Sequence, residues 1–279
     1  MIRKLLSFLP IEAFRNPPAV VSVVYLQGAI MARGRPGRTL DLARLEGVLE
    51  AAFGVKGAKA VAVVVNSPGG SAVQASLIHD RIRQLAAEKN LPVYAFAEDV
   101  AASGGYMLLL AGDEIYAHPA SIVGSIGVIA AGFGFDKAIE KLGVDRRVRT
   151  AGTKKGMLDP FSPEKPEEVA RLNALLGSIH QFFRDLVVTR RGSKINAADE
   201  DLFSGDIWVG HDALAKGLID GLGEMKSTLR AKFGPKTKFK HFGVERGWLK
   251  GRLGLARGGL ADEMLDSLEI RELWARFGA

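Results

Sequence analysis

Ser103 is the residue whose surroundings ask for chemistry. It stands in DVAASGGYMLLLAG, Asp99 to Gly112, between two alanines and two glycines at the start of an apolar run. A serine hydroxyl is a weak nucleophile, so a catalytic Ser103 needs a base and donors for the oxyanion that forms on the attacked carbonyl. A second turn of the same kind, NSPGGS, Asn66 to Ser71, closes a β-branched run. Paired glycines let the backbone approach a ligand closely, and the N–H groups that open a following helix lack intrahelical partners. If the two turns lie side by side, the N–H groups of Gly70 and Gly104 converge on one oxygen beside the Ser103 hydroxyl, which defines an acyl-transfer site. For either turn alone, a plain strand-to-helix connection explains the residues as well.

The chain has five histidines, His79, His118, His180, His211 and His241, and none stands in a recognisable pairing with an aspartate. A lysine can serve a serine instead. A free lysine titrates near 10.4, so holding it neutral at pH 7 costs about 4.6 kcal/mol, which burial in an apolar pocket can supply. The candidate segment is TAGTKKGMLDPF, Thr150 to Phe161, where Lys154 and Lys155 sit among small and apolar residues. Zero cysteines exclude thiol nucleophiles, disulfides and cysteine metal sites. Neither a metal nor a cofactor is expected.

The elements that must position these residues alternate. Val20 to Leu26 and Lys59 to Asn66 read as buried strands. A helix follows from about Ser71 to Lys89 with Val73, Leu77, Ile78, Ile82 and Leu85 on one face. Thr39 is the expected cap of a helix reaching about Phe53. Val93 to Ala97 and Glu114 to Ala117 read as strands. Phe135 to Leu142 reads as a helix, Val144 to Arg149 as a strand, and Pro166 to Arg190 as a long helix. Strand, glycine-rich turn, helix, strand is the pattern of an α/β fold with largely parallel pairing.

Charge is unevenly placed. From Lys226 to Arg257 ten Lys/Arg face one acid, Glu245, so that segment carries +9 and the rest of the chain −2 of the net +7. The expected organisation is an N-terminal segment 1–19, a catalytic body 20–225 and a basic segment 226–279. Its end carries Ile270, Leu273, Trp274 and Phe277 at the spacing of an amphipathic helix that docks on the body or a neighbour. The start, MIRKLLSFLPIEAF, is cut by Pro10 and continues into Glu12, unlike a signal peptide.

Four blocks, NSPGGS, DVAASGGYMLLLAGDEIYAHPASIVGSIGVI, AGTKKGMLDPF and IWVGHDALAKGLIDGLG, resemble in order and spacing the signal peptide peptidase A family of serine proteases, the S49 type, over roughly Val20 to Gly223. The resemblance implies the ClpP/crotonase-like fold of repeated ββα units, here with a C-terminal helical extension, and a Ser/Lys dyad. By position it implies Ser103 as nucleophile and Lys155, placed between Gly152 and Pro160, as base. Gly70 and Gly104 match the oxyanion donors, and Ser125 in GSIGVI matches a serine that orients the lysine amine. It also implies a peptide or unfolded-protein substrate, such as signal-peptide remnants or membrane-associated peptides, and a homo-oligomer whose sites combine residues of neighbouring protomers.

Two features depart from the family. Its members commonly carry an N-terminal membrane anchor, and this chain lacks a convincing one. The family's Arg-Val/Ile-Trp-Thr-Gly block reads Asp206-Ile207-Trp208-Val209-Gly210 here, a change expected to alter a structural contact and spare the dyad. The expected location is the cytoplasm, peripheral to the inner membrane. ClpP itself needs a histidine where this chain has Gly127 and Val128. The remaining alternatives are a crotonase-type acyl-CoA enzyme and a non-catalytic membrane-surface scaffold; nucleic acid is not an expected partner, because the basic stretch carries no reader motif.

Overall fold

The computed structural model describes residues 17–32, 39–152, 154–243, 271, 274, 275 and 277. The glycine- and arginine-rich sequence RGRPGR at residues 33–38, read from the sequence as a loop, lies outside the described residues, as do Ile270 and Leu273. Strand β1 is Val20–Gln27, followed by the short β2 (Ala29–Ile30) and β3 (Thr39–Leu40), which pair with each other. Helix α1 (Leu42–Phe53) is capped by Asp41, whose side chain accepts from the Arg44 N–H. Thr39, the expected cap, is instead in β3, where its hydroxyl accepts from the Arg44 guanidinium.

The core alternation continues with β4 (Ala58–Ser67), α2 (Ala72–Lys89), β5 (Val93–Ala102), α3 (Gly104–Leu109) and β6 (Glu114–Ala117). Then come β7 (Ile122–Gly124), α4 (Asp136–Lys141), α5 (Pro166–Arg191), β8 (Ile207–Val209), α6 (Gly210–Ala215), β9 (Gly221–Leu222), α7 (Met225–Phe233) and β10 (Lys238–Phe242). The result is the expected α/β fold: one sheet in the order β10-β1-β4-β5-β6-β9, parallel throughout this path. Parallel strands need long crossovers, and helices supply those joining β4 to β5 and β5 to β6. Beyond residue 225 the chain thus stays with this body: β10 pairs with β1, and α7 packs Met225 and Leu229 against Val21 and Val23.

β5 is the pivot. Its first half, Tyr94 to Ala97, pairs with β6, and its second half, Val100 to Ala102, pairs with β7. β8 then pairs antiparallel with β7. Val20 to Leu26 and the β4 run are buried on both faces, as uninterrupted β-branched sequence requires. Two local expectations fail. Val73 is 67% exposed and Leu77 42% exposed, because α2 turns Ala75, Ile78, Ile82, Leu85 and Ala86 to the core instead. Val144 to Arg149 forms no strand: its residues are exposed and pair with no strand among the described residues.

One buried ion pair closes the body. Arg191, at the end of α5, is 3% exposed and donates through both terminal nitrogens to Asp220 at 3.0 Å, and through Nε to the Gly217 carbonyl. Asp220 also accepts from Lys194 and from the Ile115 N–H of β6. Burial works to raise the Asp220 pKa, but these donors outweigh it and hold the carboxyl below the usual aspartate range. The lowered folded value means that the ion pair stabilises fully above the unfolded aspartate pKa and loses its contribution as pH falls through the folded one. Asp220→Asn is therefore expected to cost on the order of 3 kcal/mol at pH 7, because it strands the Arg191 charge. In thermal melts the gap to the wild type should narrow as pH drops below about 4.

Candidate active site

Ser103 directly follows β5 and stands at the N-cap of α3. Its carbonyl accepts from the Tyr106 and Met107 N–H groups, and its own N–H donates to the Gly124 carbonyl at 2.8 Å. The backbone there is φ +53, ψ −122, a region that non-glycine residues occupy at a cost of about 1–3 kcal/mol. A sharp strand-to-helix turn of this kind lifts the hydroxyl out of the sheet. Helix α3 is buried on every side, which is why the sequence around it is apolar all round.

The NSPGGS turn lies directly against it. A β-carbon on Gly69 would stand 2.8 Å from both the Ser103 Cβ and the Gly104 nitrogen, and one on Gly70 would stand 2.2 Å from the Ile30 carbonyl oxygen. Both glycines have positive φ, +98 and +133. The Ile30 N–H donates to the Gly69 carbonyl and the Ser71 N–H to the Ile30 carbonyl, so β2 pins the turn from behind. Among the described residues neither the Gly70 nor the Gly104 N–H makes a hydrogen bond.

Gly70, Ser103, Gly104 and Ser125 all line one cavity of about 870 Å³. Its walls are otherwise mostly apolar, with Met107 from α3, Leu176, Ile179 and Phe183 from α5, and Phe203 from the turn before β8. Phe277 also lines it. Parallel pairing of Ala102 with Gly124 puts the two serines at matching positions just past the ends of β5 and β7. Ser125 too has a positive φ, +52, and its N–H donates to the Asp206 carbonyl. The divergent Asp206-Ile207-Trp208 block thus backs β7: a β-carbon on Gly124 would meet the Trp208 ring at 2.6 Å.

Lys155 is elsewhere. It is exposed, does not line the cavity, and within the described chain no hydrogen bond joins it to Ser103 or Ser125. It lies on an arm between β7 and α5 whose ties are largely internal. The Phe135 N–H donates to the Pro160 carbonyl, Arg146 pairs with Asp159 at 3.1 Å, and the Phe135 and Phe161 rings stack 5.6 Å apart. One chain brings together the serine, the glycines and Ser125, but not the lysine.

Two histidines repay attention. His79 is buried in α2 and bonded to its neighbour Asp80 at 2.8 Å; burial first of all lowers its pKa, and it does not line the cavity. His180 does line it, a placement the sequence reading missed. Its only available signal was its position between Ile179 and Phe183 on α5, too weak to connect a residue to Ser103 across the fold.

Taken together, the features define an α/β protein built round a serine-bearing strand-to-helix turn that opens onto an apolar cavity. The sequence model described as Peptidase family S49 matches residues 85–233, and the chain belongs to that family. A Brucella abortus protein named Na(+)/H(+) antiporter NhaA is 50% identical over 98% of this chain, which spans 39% of that protein. Among this chain's described residues no helix is long and apolar enough to cross a membrane. The chloroplastic serine protease SPPA of Arabidopsis thaliana is 35% identical over 61% of the chain, which spans 25% of it. Protease 4 of Haemophilus influenzae is 29% identical over 77% of the chain, and 34% of that protein is covered. The chain therefore spans well under half the length of these relatives. A solved structure of a mutant 1510-N membrane-bound stomatin-specific protease superposes with TM-score 0.50 at 16% identity, covering 80% of this chain and 97% of that one, a likeness of fold.

The space at two glycines sets opposite expectations. Gly69→Ala must push the two turns apart at positive φ and should lower the melting temperature by roughly 5–10 °C. Gly47, exposed within α1 with nothing within 4 Å of a β-carbon, should gain up to about 1 kcal/mol as alanine. Thermal denaturation of the two variants checks both signs.

Proposed function

We propose that this chain is a serine endopeptidase in which Ser103 is the nucleophile and Lys155 of a neighbouring copy is the base. The observation that carries this is the placement of Ser103, at a strained turn, in one cavity with the free N–H groups of Gly70 and Gly104. In the reaction the neutral Lys155 amine takes the Ser103 proton and Oγ attacks a peptide carbonyl. The C–N bond breaks, and the ammonium returns its proton to the leaving amine. Water, deprotonated by the same lysine, then hydrolyses the acyl-enzyme. The Gly70 and Gly104 N–H groups bind the developing oxyanion, where one donor is typically worth about 10²–10³ in rate. Ser125 accepts from or donates to the amine and orients it.

The lysine's distance from the cavity supports a shared site. Its arm exposes Ile129, Phe133, Leu142, Val144 and Val148, with Phe133 at 78% and Leu142 at 76%. Such a run of exposed apolar side chains is the mark of a surface that another protein covers. A second copy is the fitting occupant, since covering the arm would also strip water from Lys155 beside that copy's cavity. The apolar walls formed by Met107, Ile179, Phe183 and Phe203 suit small or apolar side chains next to the scissile bond, as in signal-peptide remnants or unfolded peptides. Lys226, Arg230, Lys238 and Lys240 on α7 and β10 would favour contact with an anionic membrane surface.

Hydrolysis of unfolded casein and fluorogenic peptides by the purified chain tests this reading. Ser103→Ala and Lys155→Ala should each lower kcat by at least about 10³-fold, with Lys154→Ala near wild type. Mixing the two dead variants under subunit exchange should restore part of the activity, because some sites then combine an intact serine with an intact lysine. A wild type that cleaves nothing, or a Ser103→Ala variant that matches it, would sink the proposal; a mixture that stays dead would remove the shared site.

A further inference from the structure

Among the described residues that line the Ser103 cavity, His180 carries the one imidazole. Its ring nitrogen Nε2 lies 3.2 Å from the Ile126 carbonyl oxygen. A carbonyl can only accept, so Nε2 carries the proton, and in the neutral ring Nδ1 keeps the lone pair. Nδ1 has no hydrogen-bond partner among the described residues. Among the described residues no carboxylate lines the cavity to orient the imidazole as one does in a Ser-His-Asp triad.

What His180 does hold is a strained turn. Ile126 lies between Ser125, at φ +52, and Gly127, where a β-carbon would stand 3.0 Å from the Gly205 Cα. The turn is closed internally by the Gly127 N–H donating to the Ser125 carbonyl at 2.9 Å. From outside it is held by Asp206, whose carbonyl accepts from the Ser125 N–H at 2.6 Å, and by His180. Asp206 precedes β8, and His180 stands in the middle of α5. The turn that carries Ser125 is thus tethered between two elements distant in sequence.

We propose that His180 is a positioning residue: its Nε2–H holds the Ile126 carbonyl and so keeps Ser125 in its left-handed conformation on the cavity wall. A positive-φ serine persists only where its surroundings over-determine it. Removing one of two external tethers lets the turn relax toward ordinary φ, and Ser125 then leaves its place opposite Ser103. The catalytic consequence rests on the peptidase reading above; the tether itself does not.

His180→Leu removes the donor, whereas His180→Gln keeps an amide N–H at similar reach. Three readouts on the full chain separate the outcomes: steady-state peptide hydrolysis, its pH profile, and hydrogen exchange of the 122–128 segment by mass spectrometry. For His180→Leu the expected result is kcat lower by about 10–100-fold, the cost of a catalytic group misplaced by an ångström or so, with KM within about twofold and native mass unchanged. Exchange at Ser125 should quicken by at least about tenfold, as loss of a local tether predicts. His180→Gln should recover both to within roughly threefold and leave the acid limb of the profile where it was. If His180→Gln is as impaired as His180→Leu and the acid limb moves, the ring is a titrating base and the positioning role is wrong. If His180→Leu exchanges and turns over like wild type, there is no functional tether. Should His180→Leu fail to fold, His180→Gln against the shorter His180→Asn decides by the same readouts. If the wild type hydrolyses nothing, the peptidase reading falls while the exchange comparison still judges the tether.

Discussion

The cavity depends on a gap too narrow for a β-carbon. Pro68 to Gly70 and Ser103 to Gly104 leave the carboxyl ends of adjacent parallel strands, β4 and β5, and they pack so closely that only glycine fits at position 69. Adjacent strands are held about 4.8 Å apart by their hydrogen bonds, so two turns leaving them must touch or diverge. Here β2 presses the first turn forward through Ile30, and α3 anchors the second by burying all of its side chains. The free N–H groups of Gly70 and Gly104 follow from that contact.

β5 distributes the strain. Because it pairs with β6 over its first half and β7 over its second, it passes its register to two neighbours in succession. The second pairing brings the Gly124 carbonyl onto the Ser103 N–H and leaves Ser125 one residue further along. Both serines then occupy positive φ, and each is held by hydrogen bonds reaching from other elements. Strain of this kind costs stability locally and is compensated by the packed body, in which Arg191 and Asp220 tie the end of α5 to β6 and the loop before β9.

The arm between β7 and α5 has the opposite character. Beyond the Ser125 turn most of its residues face solvent, Phe133, Leu142, Val144 and Val148 are uncovered, and its ties run mostly within itself. A segment so poor in contacts to its own body is stable in one shape only if something else packs on it. Val144 to Arg149 reads as a strand in the sequence, but among the described residues no strand pairs with it to make it one. Packing likewise decides α2, where Val73 and Leu77 kept the helical spacing but ended outside the face that Ala75, Ile78 and Ile82 bury.

The sequence by itself determined the alternation of strands and helices, the two glycine-bearing turns and the identity of Ser103 as the residue to explain. These are written in local terms: β-branched runs demand double burial, and paired glycines permit close approach or positive φ. It also marked residues 150–161 as the place to seek a lysine. Only the tertiary structure decided that Gly69 touches Ser103, that Ser125 stands beside it, that Lys155 lies away from its own chain's cavity, and that His180 reaches Ile126 from α5. Each of these is a contact between residues far apart in the chain, set by strand register and by the packing of α5 over α3. Such contacts leave no local periodicity to read, because one residue's spacing within its helix says nothing of what stands opposite.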